Sequence, residues 1–361
     1  MKQFEKNLLY TPYKIFHFSE KLNSLAPSDT PITPPLHIRI KPTNLCNHHC
    51  WYCAYRADDL QLGESMNEKD EIPEPKMMEI IEDIIEMKVK AVTFSGGGEP
   101  FLYKPLLKVV RRLTNSSVQF AALSNGSRLD GELAEAFANH ATWLRISLDG
   151  WNDESYQEYR GTRLGEFSQL LERLETFSKL NGSCYLGISL NVDQKNAPHI
   201  RETVLKLQEA GVQSVKIAPC ILSNDAQECN DYHNPVYSMV RKQIEQLLEE
   251  TVNDPLEIFD SYHRFEAWID KGYNWCPFVQ ILTVIGADLN VYSCQDKAYN
   301  LREGLMGSLQ HQSFQEFWLN DREKFYRVHP PTDCKNHCVA NQKNQMIWEY
   351  LHTHPIHQQF V

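Results

Sequence analysis

Three cysteines, Cys46, Cys50 and Cys53, stand in the stretch Lys41-Pro-Thr-Asn-Leu-Cys-Asn-His-His-Cys-Trp-Tyr-Cys-Ala-Tyr-Arg56, a C-x3-C-x2-C spacing. Three thiolates on so short a loop can hold three corners of one small metal centre, and soft thiolates select zinc or iron–sulfur chemistry. A closed structural zinc site takes four protein ligands. No fourth cysteine lies nearby, so His48 or His49 would have to complete a zinc knot. The alternative is a four-iron cluster with one iron left open for a small-molecule ligand. A second group, Cys276, Cys294, Cys334 and Cys338, lies in the last quarter of the chain, and Cys184, Cys220 and Cys229 lie between. Cys276 and Cys294 flank apolar runs at 279–285 and 291–293 around a Gly/Asp/Asn turn, the pattern of a hairpin that brings its flanking cysteines together. Cys334 and Cys338 complete a four-thiolate set, which sequence physics leaves open between zinc and iron–sulfur.

These groups need elements to position them. Strands are expected over 36–40, 91–94, 118–123, 143–148, 185–191 and 214–218, alternating with helices over 74–88, 105–113, 131–139, 165–180, 199–210 and 235–250. The first of these helices carries Met77, Ile80, Ile81, Ile84 and Ile85 at helical spacing. Such alternation implies an α/β fold with a parallel sheet and right-handed crossovers. Six βα units fall short of a closed eight-unit barrel.

Parallel α/β architectures place chemistry on the loops after the C-terminal strand ends, and the first cysteine loop follows the first strand. After the second strand comes Ser95-Gly-Gly-Gly-Glu-Pro100, where Gly97 and Gly98 let backbone approach a ligand and Glu99 can accept from an amine. Ser124-Asn-Gly126 follows the third strand, and Ser147-Leu-Asp-Gly150 ends the fourth; both also read as turn chemistry. Asn191 ends the fifth strand. Lys216-Ile-Ala-Pro-Cys220 ends the sixth, placing a thiol where it can face the cavity.

The formal net charge of −11 over 361 residues argues against a non-specific binder of nucleic acid or of anionic membranes. The first residues do not begin a signal peptide, and no apolar run is long enough to span a bilayer. A cytoplasmic location is therefore expected, where cysteines bind metals or do chemistry more often than they pair. The organisation read from the sequence is a Pro/Ser/Thr-rich arm over 1–34, a barrel over 35–255, a small cysteine-bearing unit over 256–345 and a tail over 346–361. In the last stretch Met346, Ile347, Trp348 and Leu351 have packing spacing, and His352, His354 and His357 read as tail rather than as a metal cluster.

Cys46, Cys50 and Cys53, with the aromatic Tyr52 before the third cysteine, resemble the signature of the radical S-adenosylmethionine (radical SAM) enzymes. The resemblance implies a partial (β/α)6 TIM-like barrel and a SAM-binding [4Fe-4S] cluster on these three cysteines. It also implies reductive cleavage of SAM to a 5'-deoxyadenosyl radical that abstracts a hydrogen atom from substrate. By the same resemblance Gly97, Gly98 and Glu99 hold the SAM amino group, Ser147 contacts its ribose, and Arg160 pairs with its carboxylate, with Arg163 as the neighbouring alternative. Tyr52, Ser124 and Asn191 join them at the cofactor. Cys276, Cys294, Cys334 and Cys338 are similar to the twitch domain, the shortened relative of the SPASM domain, which implies an auxiliary [4Fe-4S] cluster on a small hairpin and helix domain. The short N-terminal arm points to a small polar substrate (a sugar, cyclitol or nucleotide sugar) rather than a peptide. The outcome is then dehydrogenation or epimerisation, with a flavodoxin- or ferredoxin-like reductant, Cys220 or Cys229 as hydrogen-atom donor and Lys216 as a base. The alternatives are a radical SAM enzyme that modifies peptides or proteins, and a zinc-stabilised binding protein without catalysis.

Overall fold

The structure, a computed structural model, describes residues 9–26, 31–56, 63–223, 225–264 and 271–360. The first residues of the arm and the centre of its Pro/Ser/Thr-rich stretch, 27–30, lie outside the described residues. The arm contributes α1 (Ser19–Asn23). Then follow β1 (His37–Ile40), α2 (Glu74–Glu86), β2 (Ala91–Phe94), α3 (Leu106–Thr114), β3 (Gln119–Ser124), α4 (Gly131–His140), β4 (Trp143–Leu148), α5 (Asp153–Arg160), α6 (Glu166–Lys179) and β5 (Tyr185–Val192). The chain continues through α7 (Ile200–Glu209), β6 (Ser214–Pro219), α8 (Ala226–His233), α9 (Tyr237–Glu250) and β7 (Glu257–Asp260). It ends in β8 (Leu282–Ile285), β9 (Asn290–Tyr292), β10 (Leu305–Ser308), α10 (Phe314–Leu319), α11 (Pro330–Asp333) and α12 (Asn341–His352).

All ten strands join one open sheet in the order β10-β9-β8-β1-β2-β3-β4-β5-β6-β7. From β1 to β7 every neighbouring pair is parallel and in chain order, the layout of a partial barrel. The alternation in β4 shows why the sheet has two distinct faces. Leu144, Ile146 and Leu148 are buried against the helices, whereas Trp143, Arg145 and Ser147 on the other side stay half-buried. On the helix side, Met77, Ile80, Ile81 and Ile84 of α2 are fully buried in the same core as Ile38, Ile40, Val92 and Phe94. The expected hairpin forms with Val284 opposite Tyr292. It does not stand apart, because β8 also pairs in parallel with β1 and so continues the barrel sheet.

Two elements lie outside the periodic pattern. α5 is polar and is defined by its ends: an Asn152/Ser155 capping box starts it and Gly161, at φ 57°, stops it. α12 carries Ile347 into a second cluster with Ile15, Leu22, Leu25, Trp275 and Ile281, so the arm and the C-terminal helix pack on each other. Among the described residues no helix is long and apolar enough to cross a membrane.

His37, at the start of β1, bonds the Thr93 hydroxyl at 2.8 Å. Burial, with the charges of Arg39 and Lys343, holds its pKa down to about 3. A folded pKa below the unfolded one means that the unfolded chain takes up the proton first. The contribution is complete above the unfolded value, about 6.5, and is lost as pH falls towards the folded one, at up to about 1.4 kcal/mol per pH unit. His37→Gln should flatten this limb in urea unfolding between pH 7 and pH 4; an unchanged slope would assign the acid sensitivity to other groups.

Candidate active site

The first cysteine loop is held by its neighbours' backbones. The last carbonyls of a helix have no partner within it, and those at the end of α5 receive loop amides: His49 N donates to Arg160 O at 2.7 Å and Trp51 N to Tyr159 O at 3.2 Å. Arg56 clamps the loop from inside, with Nη2 donating to Asn44 O at 2.7 Å and Nη1 to His48 O at 3.3 Å. The Gly-rich turn after β2 is stitched on by Glu99 N to Leu45 O, 2.8 Å, and Gly98 N to Thr43 O, 3.3 Å. A Cβ at residue 98 would lie 2.0 Å from Leu45 O, and one at residue 97 would lie 2.4 Å from Asn44 Oδ1. The space these glycines leave is thus filled by the cysteine loop itself.

Cys46, Cys50 and Cys53 are free, half-buried thiols. Cys50 feels the charges of both others, and burial pushes its thiol up to about 12. His48 turns into the protein, its ring edge-on to Tyr156 at 6.0 Å with Nδ1 buried and unpartnered, while His49 is exposed. Among the described residues no three His, Cys, Asp or Glu side chains converge as ligands of a single ion. A zinc knot needs its donors about 2.0–2.3 Å from one point, whereas a four-iron cluster takes one thiolate per iron, spread over separate corners. Three neighbouring thiols on one loop, with no histidine turned in beside them, fit the cluster.

Around this loop the predicted cofactor residues form two linked sets. Glu99 is 2% exposed; its Oε1 accepts from Ser124 Oγ at 2.7 Å and Phe101 N at 2.9 Å, and Oε2 from Asn125 N at 2.6 Å. A carboxylate has about four acceptor sites, so Oε2 keeps capacity for one more donor. In the second set Arg160 Nε donates to Asp149 Oδ1 at 2.9 Å, and Nη2 donates to Ser147 Oγ at 3.0 Å and Tyr52 OH at 3.3 Å. Tyr52 OH also donates to Asp149 Oδ2, and Asn191 Nδ2 reaches Ser147 Oγ at 3.3 Å. Burial works against the guanidinium charge, but Asp149 and Tyr52 outweigh it and hold the Arg160 pKa above its ordinary value. Arg163 is exposed, which separates it from this network.

On β6 a two-residue period places Lys216, Ala218 and Cys220 on one face. Cys220 is 2% exposed; burial, with Asp149, Asp193 and Cys50, keeps its sulfur protonated. Cys229 is equally buried but donates its thiol to Ser223 O at 3.3 Å. Lys216 is half-buried, its pKa lowered to about 8 by burial and by Arg145, Lys343 and Arg39.

Cys276, Cys294, Cys334 and Cys338 perturb one another's thiols. Asn344 Nδ2 donates to Cys276 Sγ at 3.2 Å. Beside Cys334, Lys297 is held by Asp333 O at 2.7 Å and Lys271 by Asn336 O at 2.7 Å.

Several contributors were not singled out by sequence. Asp149 reads as half of an Asp-Gly turn but is the buried partner of Arg160; its position at the end of β4 was the available signal. Lys41, the residue after β1, donates to Tyr55 OH at 2.9 Å and Gly96 O at 3.0 Å. Tyr55 in turn donates to Gln295 O at 3.2 Å, which joins the first cysteine loop to the residue after Cys294.

The class defined here is an open parallel α/β barrel with a three-cysteine loop at the C-terminal edge of its first strand. The family model of the radical SAM superfamily matches residues 40–207, so this part of the chain is a radical SAM domain. It is 22% identical to an AdoMet-dependent heme synthase of Methanosarcina barkeri over 315 residues, 81% of this chain and 84% of that one. It is 28% identical over 179 residues to an uncharacterized protein of Archaeoglobus fulgidus, a match spanning half of this chain but only 40% of that one. Its fold is similar to that of Streptococcus suis SuiB, solved with its precursor peptide SuiA, at a TM-score of 0.62 and 13% identity over 87% of this chain and 71% of SuiB.

Asp149→Asn would leave Arg160 charged and buried without its counter-ion. The side chains are 2% and 0% exposed, so urea unfolding should register a loss of about 3–5 kcal/mol. Lys179→Ala, which breaks an exposed pair with Glu175, should shift the midpoint little. Equal effects of the two substitutions would contradict this assignment.

Proposed function

We propose that this chain cleaves SAM reductively and uses the resulting radical on a small polar substrate, a sugar, cyclitol or nucleotide sugar, to dehydrogenate or epimerise it. The observation that carries the reading is the shared rim. The Cys46/Cys50/Cys53 loop, the Glu99 set and the Arg160–Asp149–Ser147–Asn191 set are hydrogen-bonded around one strand edge, with Cys220 in electrostatic reach of Cys50. When bound there and reduced, a [4Fe-4S] cluster with SAM supplies a 5'-deoxyadenosyl radical. The three cysteines hold the cluster. Glu99 Oε2 accepts the SAM amine, Gly97, Gly98 and Ser124 keep that carboxylate in place, and Tyr52 and Asp149 fix Arg160 so that its remaining donor, Nη1, meets the SAM carboxylate. Ser147 and Asn191 face the ribose.

Cys220 is the better placed hydrogen-atom donor, because the Cys229 thiol is already engaged by Ser223 O. Donation from the Cys220 S–H to a substrate radical leaves a thiyl, which one electron from a flavodoxin- or ferredoxin-like reductant and one proton restore. In the dehydrogenation branch Lys216, with its lowered pKa, takes the hydroxyl proton, and the one electron left on the substrate radical would pass to an auxiliary cluster. Cys276, Cys294, Cys334 and Cys338 hold an auxiliary [4Fe-4S] cluster, supported by Lys271 and Lys297 beside thiols that burial makes costly to ionise.

Anaerobic purification should give roughly eight irons per chain from two [4Fe-4S] clusters, and dithionite with SAM should yield 5'-deoxyadenosine. Cys46→Ala should abolish that product, and Cys294→Ser should remove about half of the iron. Zinc in place of iron, with SAM intact after cluster reconstitution, would overturn the reading. The branch is decided in deuterium oxide with a panel of nucleotide sugars and cyclitols. Epimerisation should place one solvent deuterium in the product and lose it in Cys220→Ala; an oxidised product without deuterium selects dehydrogenation.

A further inference from the structure

Closed eight-unit barrels fill their interior with packed apolar layers; this open barrel does not. On the helix side Ile38, Ile40, Leu144, Ile146, Ile188, Leu190, Val215 and Ile217 are at most 2% exposed. Their alternating neighbours Arg39, Arg145, Ser147, Ser189, Asn191 and Lys216 are only half-buried, so the inner face lines open space. Tyr10 of the arm lies beneath it, with the Arg145 guanidinium 5.1 Å and the Lys216 amine 5.8 Å from its ring and Phe259 4.4 Å away.

The charge in this space is mostly of one sign, with Asp296 and the Cys294 thiol towards Arg39 and the Cys338 thiol towards Lys343. Arg145, Lys343 and Arg39 all depress Lys216, and Lys343 and Arg39 also act on His37, so the four cations share one environment. Among the described residues, none of the four makes an ion pair or a side-chain hydrogen bond, and the Nε atoms of Arg39 and Arg145 are buried without any acceptor. The nearby carboxylates are committed elsewhere or set back. Glu257 accepts from Tyr185 OH, and Asp296 is half-buried near Arg39, Lys41 and Lys297 without an ion pair to Arg39. Unpaired buried charge is costly, and a chain of net charge −11 has nonetheless gathered it where a ligand would enter.

Resting on the reading that the rim of this barrel is a SAM site, we propose that the lumen beneath it binds a substrate carrying at least two anionic groups, phosphates or carboxylates. Arg39 and Arg145 engage these groups through their guanidinium forks, and Lys343 acts as a point charge. The anion replaces the counter-ions that the protein omits, and it fixes the substrate's depth below the rim.

The test is calorimetric titration of the anaerobic, cluster-loaded protein with 1,3-propanediol bisphosphate, with glutarate and with uncharged 1,5-pentanediol. One or both anions should bind, more weakly at higher salt, and the diol should not; which anion binds more tightly identifies the group. Arg39→Gln and Arg145→Gln should each raise the dissociation constant ten-fold or more, and Arg145→Lys by much less. Lys343→Gln gives the same reading if an arginine variant fails to fold. Variants that keep the wild-type melting temperature and bind within two-fold of wild type would overturn the inference, as would the absence of anion binding. 5'-Deoxyadenosine formation is measured on the same wild-type sample. SAM cleavage without anion binding sinks this inference alone, and charge-dependent anion binding without SAM cleavage sinks the proposed function alone.

Discussion

No side chain fits between the three-cysteine loop and the Gly-rich turn, and the geometry of the rim follows from that. The turn approaches so closely that a Cβ at residue 98 would be 2.0 Å from Leu45 O. Two interstrand loops can therefore exchange backbone hydrogen bonds as if they were strands. Once the loop is fixed against the turn, its far side reaches the carbonyl end of α5, and the helix end gains the donors that it otherwise lacks. The Arg160–Asp149 pair lies under that junction with almost no exposure. Breaking either contact would free three thiols whose relative positions are the point of the arrangement.

β1 carries a second burden. It delivers the first cysteine loop at its C-terminal end and pairs with β8, which leads into the hairpin before Cys294. One strand thus sets the relation between both cysteine groups, and Lys41, Tyr55 and Gln295 tie it with hydrogen bonds. Lys41 is fully buried, with its pKa driven down by burial and by Arg39. An uncharged amine can still donate to Tyr55 OH and Gly96 O, so the link does not depend on its ionisation.

Much of this was legible in the sequence, for identifiable reasons. Strands such as β4 and helices such as α2 announce themselves because burial on one face imposes a period. The three-cysteine loop could be placed because it follows a predicted strand, Ser147 and Asn191 because they end predicted strands, and Arg160 by the family resemblance alone. α5 escaped because its stability comes from Asn152, Ser155 and Gly161 at its ends rather than from an apolar stripe. β7 escaped because four half-buried residues, Glu257–Asp260, leave no alternation to read. Asn44 could not be assigned a role at all: Tyr299 OH donates to its Oδ1 at 2.5 Å across 255 residues of chain, and local sequence does not carry such a partner.

The inner face of the sheet shows how far polarity alone can speak. A residue type that is merely tolerated at a surface becomes informative on the inward side of a strand, where solvent is limited and each charge must find a partner. On β4 and β5 the inward Ser147 and Asn191 find one another and Arg160 near the rim. On the same face Arg39, Arg145 and Lys216 make no ion pair or side-chain hydrogen bond. A barrel built only for stability would have filled these positions with branched apolar side chains, as its outer face does with Ile38, Leu144 and Val215. The inner face therefore divides into groups that satisfy each other and groups left for something else. That division is what separates a site shaped around its own residues from one shaped around a ligand.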